Sequence, residues 1–234
     1  ITGATSNVLM PLFSRLVHEK SEVSQITGLW RSALEKSAIL IYPVVVFFLF
    51  FAREVVTLVY SGAYAVSVRY FLTAMSLNFF NIIIFAPLLI SLGETRFLAR
   101  LNYGLMALLW VTDYFLVLIF HSPLSLAIAS VVIAVGGIAI SIRFSSKKIG
   151  VPFFVLFPIT RFLVIGLHSF LCLLVVSIFL NLVWPTLGDL SHILLAAAAY
   201  AGLLWGTARW FGIDYMGIIK PLLKEQFLQE GGHI

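Results

Sequence analysis

The chain has 234 residues, of which 61% are hydrophobic and 11% charged, and its mean hydropathy is +1.07. Soluble domains carry about 25% charged residues, so this composition argues against a water-soluble domain. The single cysteine, Cys172, excludes a disulfide within the chain, and the five histidines show no metal-ligand spacing. An excess of 15 Lys and Arg over 10 Asp and Glu would suggest a nucleic-acid partner in a soluble protein. Here membrane topology explains that excess, and no nucleic-acid partner is expected.

Six apolar runs approach the 20 or so residues that a helix needs to cross a bilayer. They do not alternate between apolar and polar residues as barrel strands do, so they predict an all-α membrane protein. The predicted six-helix transmembrane domain covers residues 37–211, with spans at about 37–60, 70–92, 97–120, 123–142, 162–184 and 192–211.

The segments on either side of this domain are of a different kind. Residues 1–11 are apolar or small and predict the end of a transmembrane helix that begins upstream. Residues 12–36 predict a cytoplasmic amphipathic linker, interpreted as a helix in the headgroup plane, with a solvated linker as the alternative. Residues 212–234 predict a cytoplasmic tail. The apolar stripe of the linker comprises Ile26, Leu29, Trp30, Ala33 and Leu34.

The basic residues are sorted between the two faces of the predicted domain. If the spans alternate, 13 of the 15 Lys and Arg lie on one face, and only Arg53 and Arg69 lie on the other. Because Lys and Arg gather in cytoplasmic loops, the 13-residue face is predicted to be cytoplasmic. The expected protein is a multi-pass protein of the cytoplasmic membrane with its C-terminus inside, and the lipid bilayer is its first partner.

Local motifs follow one another in a distinctive order. An early proline, in Tyr42-Pro43, follows the linker, and an outer segment with Gly62 and Tyr64 comes next. The quoted segments, in chain order, are RSALEKS, FAREVVTLVYSGAYAVSVRYF, LISLGETRFLARLN and RFSSKKIGVP. This series resembles the C-terminal part of a polysaccharide or O-antigen flippase of the multidrug/oligosaccharidyl-lipid/polysaccharide exporter superfamily. Relatives often have a basic residue where this chain has Glu94, so no binding role is assigned to that position.

The resemblance implies a fold and an activity. Such flippases have 14 helices in two lobes, and the six spans would be helices 9 to 14, with the N-terminal lobe of the same chain as a partner. The implied activity is not enzymatic. It is the transport of a lipid-linked oligosaccharide, an O-antigen or other polysaccharide repeat unit of the kind used for lipopolysaccharide, across the membrane by alternating access. A proton or sodium gradient would drive it; no cofactor is expected, and no phosphate-binding Gly-x-x-x-x-Gly-Lys-Ser/Thr motif is present.

Polar residues inside the predicted spans are the candidate substrate or ion sites. Asp113 should face the bundle or water, because a carboxylate in lipid is costly. It could bind a cation, a proton or a sugar, or be satisfied by the hydroxyls of Thr112 or Tyr114. Asn78 and Asn81 share a helix face and could bind sugar hydroxyls or hold helices together.

Three further residues in or beside the predicted spans stand out. Arg161 could meet a lipid phosphate or extend to the interface as an ordinary snorkelling side chain. His168 could titrate or be a packed neutral imidazole. Pro87 is predicted to kink the second span.

Alternative functions remain open from the sequence. One is another exporter of the same superfamily, for a drug or for lipid II. Another is a membrane glycosyl-transferring enzyme using His121, Asp189 and His192 as acid/base groups, although the predicted outer loops are short for such a site.

Overall fold

The computed structural model describes residues 2–19, 21–83, 85–184, 188–215 and 217. All the regular elements among these residues are helical. In chain order they are α1 (Thr2–His18), α2 (Val23–Phe50), α3 (Ala52–Tyr60), a 3-10 turn (Gly62–Ser67), α4 (Val68–Ser76), α5 (Asn78–Asn81), α6 (Phe85–Ser91), α7 (Thr95–Phe120), α8 (Pro123–Ile149), α9 (Phe153–Leu156), α10 (Ile159–Val183), α11 (Asp189–Thr207) and a second 3-10 turn (Ala208–Phe211).

Six helical segments are long and apolar enough to cross a membrane. They are Val23–Phe50, Gly62–Ser91, Thr95–Phe120, Pro123–Ile149, Ile159–Val183 and Leu190–Phe211. The prediction of a helical membrane protein with six spans is confirmed at this level.

The N-terminal segments differ from the prediction. Helix α1 continues through Pro11 to His18, and α2 begins at Val23 rather than at residue 37. The residues predicted to form a separate linker therefore belong largely to the end of α1 and to the first turns of the continuous helix α2. The physical reason is packing: the apolar side chains of Trp30 and Leu34 are buried in the protein core, 2% exposed each, instead of facing lipid headgroups.

The second predicted span, 70–92, is corrected from one kinked helix to three short ones. Helix α5 ends at Asn81 and α6 begins at Phe85, so the break lies one turn before Pro87. A proline ring clashes with the carbonyl four residues earlier and supplies no N–H to it. That carbonyl belongs to Ile83, which accepts a hydrogen bond from the Phe85 N–H at 3.1 Å instead.

The remaining bounds shift by a few residues to a full turn or more. The predicted 123–142 span continues to Ile149, where Gly150 closes the helix with a φ of +78°. The 162–184 span begins at Ile159. The last span begins at Asp189 and turns into a 3-10 turn at Ala208. Most of the predicted tail, 212–234, lies outside the described residues.

Helix α10 lies at the centre of the bundle, between α2 and α11. Its buried face includes Phe162, Ile165, Cys172 and Leu173. Two clusters of buried apolar residues form the core, one around Trp30 and Phe162 and one around Leu173 and Tyr200; Phe79 packs against both.

Cationic segments far apart in sequence meet at one end of the bundle. Lys148 pairs with Glu94 over 2.6 Å, and Arg161 pairs with Glu35 over 3.3 Å. The indole N–H of Trp30 donates to the Leu156 carbonyl at 2.8 Å. The start of α2, the α6–α7 turn, the end of α8 and the start of α10 therefore share this end, which we call the cationic end. Of the segments that the charge pattern predicted to lie on one face, these four meet in the fold, while most of the 212–234 tail lies outside the described residues.

Helices α7 and α8 form an antiparallel hairpin at the edge of the bundle. The rings of Phe97 and Phe144 stack with centroids 3.6 Å apart. Further along, a Cβ on Gly137 would overlap the end of the Leu105 side chain, so that side chain packs directly on the backbone of α8 there. No residue of α7 is fully buried, and most of its apolar side chains are exposed.

Candidate functional site

The break in the second span defines the candidate site. Because the Ile83 N–H bonds to the Phe80 carbonyl at 2.9 Å, the Phe79 carbonyl loses the helical partner it would otherwise have. Tyr42 of α2 donates its hydroxyl proton to that carbonyl at 2.9 Å. An unpaired carbonyl within lipid costs several kcal/mol of free energy. The Tyr42 hydroxyl therefore stabilises the broken segment by pairing with this carbonyl. Discontinuous spans of this kind form substrate and ion sites in many transporters.

A cavity of about 420 Å³ lies beside the break. It is strongly aromatic, and the ring of Tyr42 packs edge-on against Phe79 with centroids 5.0 Å apart. Its lining residues are Tyr42, Phe79, Phe80, Phe157, Ile159, Phe162, Leu163, Gly166, Leu167 and Phe170. Gly166 lies on α10, and a Cβ added there would meet the ring of Tyr42 at 3.7 Å, so the absence of a side chain keeps this space open.

Asn78 and Asn81 lie on the broken segment itself. The Asn81 amide donates to the Asn78 side-chain oxygen at 3.3 Å, so the predicted shared face is present. Asn81 is exposed and Asn78 half-buried. Neither lines the aromatic cavity, which Phe79 and Phe80 face instead. The pair therefore presents amide groups on a different side of α5 from the apolar cavity.

Asp113 lies on α7, away from the broken span. It is half-buried, and its Oδ1 atom is buried without a hydrogen-bond partner among the described residues. The suggested hydroxyl donors, Thr112 and Tyr114, do not bond to this oxygen. Since an unpaired carboxylate charge is costly in a low-dielectric setting, this oxygen has unused capacity for a proton or a cation.

His168 is fully buried in α10, with 1% of its surface exposed. Its Nε2 lies 2.8 Å from the hydroxyl oxygen of Thr207, and that oxygen also lies 2.7 Å from the Leu203 carbonyl oxygen. Whether Nε2 donates or accepts in this contact depends on the imidazole tautomer. Nδ1 is buried and has no partner among the described residues. The ring also packs on Phe211 with centroids 4.5 Å apart.

Arg161 pairs with Glu35, as described above, and both side chains are partly exposed at the cationic end. Its position fits a residue at the membrane interface, and the ion pair joins α10 to α2. The candidates are thus not brought into one cluster: the asparagines are on α5, Asp113 is on α7, and His168 and Arg161 are at two levels of α10.

The three residues considered for acid/base chemistry lie at helix ends, and the two histidines make contacts that stabilise the fold. His121 adopts a φ of +49° and closes the end of α7, where its N–H bonds to the Val117 carbonyl. The His192 ring packs edge-on against Phe51 with centroids 5.8 Å apart. Asp189 begins α11. Among the described residues, no group of three or more His, Cys, Asp or Glu is placed to hold a metal ion.

Sequence reasoning missed Tyr42 and the Phe79 carbonyl as parts of the site. Two signals were available: Pro87, whose missing N–H frees the Ile83 carbonyl and so indicates a break near that residue, and a tyrosine in the neighbouring span able to reach across. The pairing itself depends on how α2 packs against α5, which the one-dimensional pattern does not give.

A family model described as a polysaccharide biosynthesis protein matches residues 1–69. The match covers α1, α2, α3 and the 3-10 turn, and ends at the start of α4; it includes Tyr42 but not the break. No curated protein and no solved structure matches the chain. Together with the six spans, the match supports a polysaccharide-related membrane protein.

Proposed function

We propose that this chain is part of a flippase that moves a lipid-linked oligosaccharide, an O-antigen or other polysaccharide repeat unit, across the cytoplasmic membrane. The observation that carries the proposal is the match of residues 1–69 to a polysaccharide biosynthesis family in a chain with six membrane-crossing helices. A membrane protein of polysaccharide synthesis needs either a catalytic centre or a path for the lipid-linked product. The broken second span favours the path.

In this proposal the chain supplies the C-terminal part of a 14-helix, two-lobe transporter that works by alternating access, with its cationic end in the cytoplasm. The break at Ile82–Ile83 supplies a flexible point in the middle of a span, where the two halves can change their angle. Asn78 and Asn81 offer amide donors and acceptors suited to sugar hydroxyls.

Asp113 is the proposed coupling residue for a proton or sodium gradient. Its Oδ1 is buried without a partner among the described residues, which leaves room for a proton or a cation in each transport cycle. Asp113→Asn keeps the size and removes the charge. It should reduce gradient-dependent transport at least tenfold, while Asp214→Asn, an exposed acid at the cationic end, should leave transport unchanged. Equal transport by the native protein, Asp113→Asn and Asp214→Asn would show that Asp113 does not couple transport to the gradient.

The cellular test uses a strain that lacks the natural protein containing this chain. The proposal predicts that lipid-linked repeat units accumulate in the cytoplasmic leaflet and that the restored gene clears them. Normal export of the glycan, combined with sensitivity to toxic compounds, would instead favour a drug exporter. Glycosyl transfer by the purified protein would favour the enzyme alternative.

A further inference from the structure

A second cavity lies at the cationic end, on the outside of α8. It has a volume of about 550 Å³ and combines basic and apolar side chains. Its lining residues are Ala139, Ile140, Arg143, Ser146, Lys147, Phe153 and Phe154. It shares no residue with the aromatic cavity beside the broken span.

The two basic residues of this cavity lie one helical turn apart on α8, and both are exposed. Within the part of the chain that the structure describes, neither Arg143 nor Lys147 forms an ion pair, whereas Lys148 and Arg161 each do. The negative end of the α8 dipole can account for Lys147 in the last turn. It does not account for Arg143, which is farther from the helix end, or for the concave surface that both residues share.

An apolar strip leads from these cations along the same face of α8 towards the middle of the membrane. Ile140, Val132 and Ile128 follow at helical spacing and are 47%, 63% and 48% exposed. Gly136 lies between them, and a Cβ there would meet nothing within 4 Å. On the other wall Phe154 is 68% exposed. The surface therefore changes from cationic to apolar over the length of a lipid molecule.

We propose that this cavity binds an anionic diacyl phospholipid, with its phosphate between Arg143 and Lys147 and one acyl chain along Ile140 and Val132. Basic pockets beside transmembrane helices are suited to anionic headgroups, and Arg can hold two phosphate oxygens at once. Phe153 and Phe154 bound the headgroup level, where aromatic rings are favoured. A resident phospholipid fits better than the transported lipid because the apolar strip lies on the exposed face of α8 and shares no residue with the cavity beside the broken span.

The test measures lipid retained by the full chain purified in detergent, by native mass spectrometry after incubation with phosphatidylglycerol or phosphatidylcholine. The wild-type protein should retain phosphatidylglycerol preferentially. Arg143→Gln with Lys147→Gln should weaken that retention about 25-fold, since each cation near an anionic lipid is worth about fivefold. The matched control, Arg96→Gln with Arg100→Gln, removes two cations at the same spacing from α7, and it should retain the lipid.

A second variant tests shape without changing charge. Ala139→Trp should fill the cavity and weaken retention, while Ala107→Trp, on the exposed surface of α7, should not. Equal loss in both double variants, or no preference for phosphatidylglycerol, would overturn the proposal in favour of general charge attraction. Displacement of the bound phosphatidylglycerol by millimolar inorganic phosphate would overturn the proposal in favour of a free anion. Its displacement by an equimolar polyprenyl diphosphate would overturn the proposal in favour of the transported lipid.

Discussion

The hydroxyl of Tyr42 donates to the carbonyl of Phe79 at 2.9 Å, joining two spans across 37 positions of sequence. This bond satisfies a carbonyl that lacks its helical partner, because the Ile83 N–H bonds to Phe80 instead of Phe79. It therefore couples the position of α2 to the shape of the second span. The same phenol ring forms one wall of the aromatic cavity.

Tyr42→Phe removes this donor and keeps the ring. The Phe79 carbonyl is then unsatisfied, and we expect the protein to lose about 1–3 kcal/mol of stability, measured as a lower thermal unfolding midpoint in detergent. Tyr200→Phe is the matched control, because the Tyr200 hydroxyl bonds to the Pro43 carbonyl at 3.2 Å, which lies inside a continuous helix and keeps its i+4 partner. A larger loss for Tyr200→Phe would contradict this account of the break.

Pro87→Ala should restore a continuous helix through the break. The new N–H at position 87 can bond to the Ile83 carbonyl, and the ring clash disappears, so the unfolding midpoint should rise. If the break is the flexible point of the transport cycle, lipid-linked oligosaccharide transport should fall even though stability increases. A stabilised variant with undiminished transport would show that the break is only a geometric feature.

Gly137 sets the spacing of the α7–α8 hairpin. Gly137→Ala needs only a movement of the flexible end of Leu105, so we expect a stability change below about 1 kcal/mol. Gly137→Leu should separate the helices and cost about 1–3 kcal/mol. Gly136→Leu is the control, since that position opens onto free space, and its unfolding midpoint should stay close to that of the native protein. Similar losses at both glycines would argue against close packing at Gly137.

The proposed orientation can be tested with single cysteines in a Cys172→Ala background. Ala63 and Thr95 are both exposed, in the 3-10 turn and at the start of α7. A cysteine at position 63 should react with a membrane-impermeant maleimide added to intact cells. A cysteine at position 95 should react only after the membrane is opened. The reverse pattern would contradict the cytoplasmic placement of the cationic end.

The sequence predicted the elements that depend on composition alone. Runs of apolar residues indicated the number of spans, and the basic residues indicated the grouping of loops that the Glu94–Lys148 and Glu35–Arg161 pairs join. Features that depend on contacts between elements were not accessible. The start of α2 at Val23 follows from the burial of Trp30, and the break at Ile83 lies one turn before the proline that was expected to mark it.

The candidate site was predictable only in part. The shared face of Asn78 and Asn81 follows from helical spacing, and the structure adds their hydrogen bond. The sequence predicted that Asp113 either bonds to a neighbouring hydroxyl or binds a cation, a proton or a sugar. Its Oδ1 has no hydrogen-bond partner among the described residues, so binding stays a prediction. The sequence allowed a titrating or a packed neutral His168, and the structure shows a buried ring whose Nε2 lies 2.8 Å from the Thr207 hydroxyl. These outcomes depend on neighbours from other helices, which a single sequence does not specify.

The proposed flippase activity is tested most directly by transport in vesicles that contain the complete two-lobe transporter of the proposal. A labelled lipid-linked oligosaccharide is placed in the leaflet that adjoins the cationic end, and its arrival in the opposite leaflet is followed with a glycan-cleaving enzyme that cannot cross the membrane. We expect arrival to be rapid in these vesicles and slow in vesicles containing Asp113→Asn or no protein. Equal rates in all three preparations would contradict the proposed flippase activity.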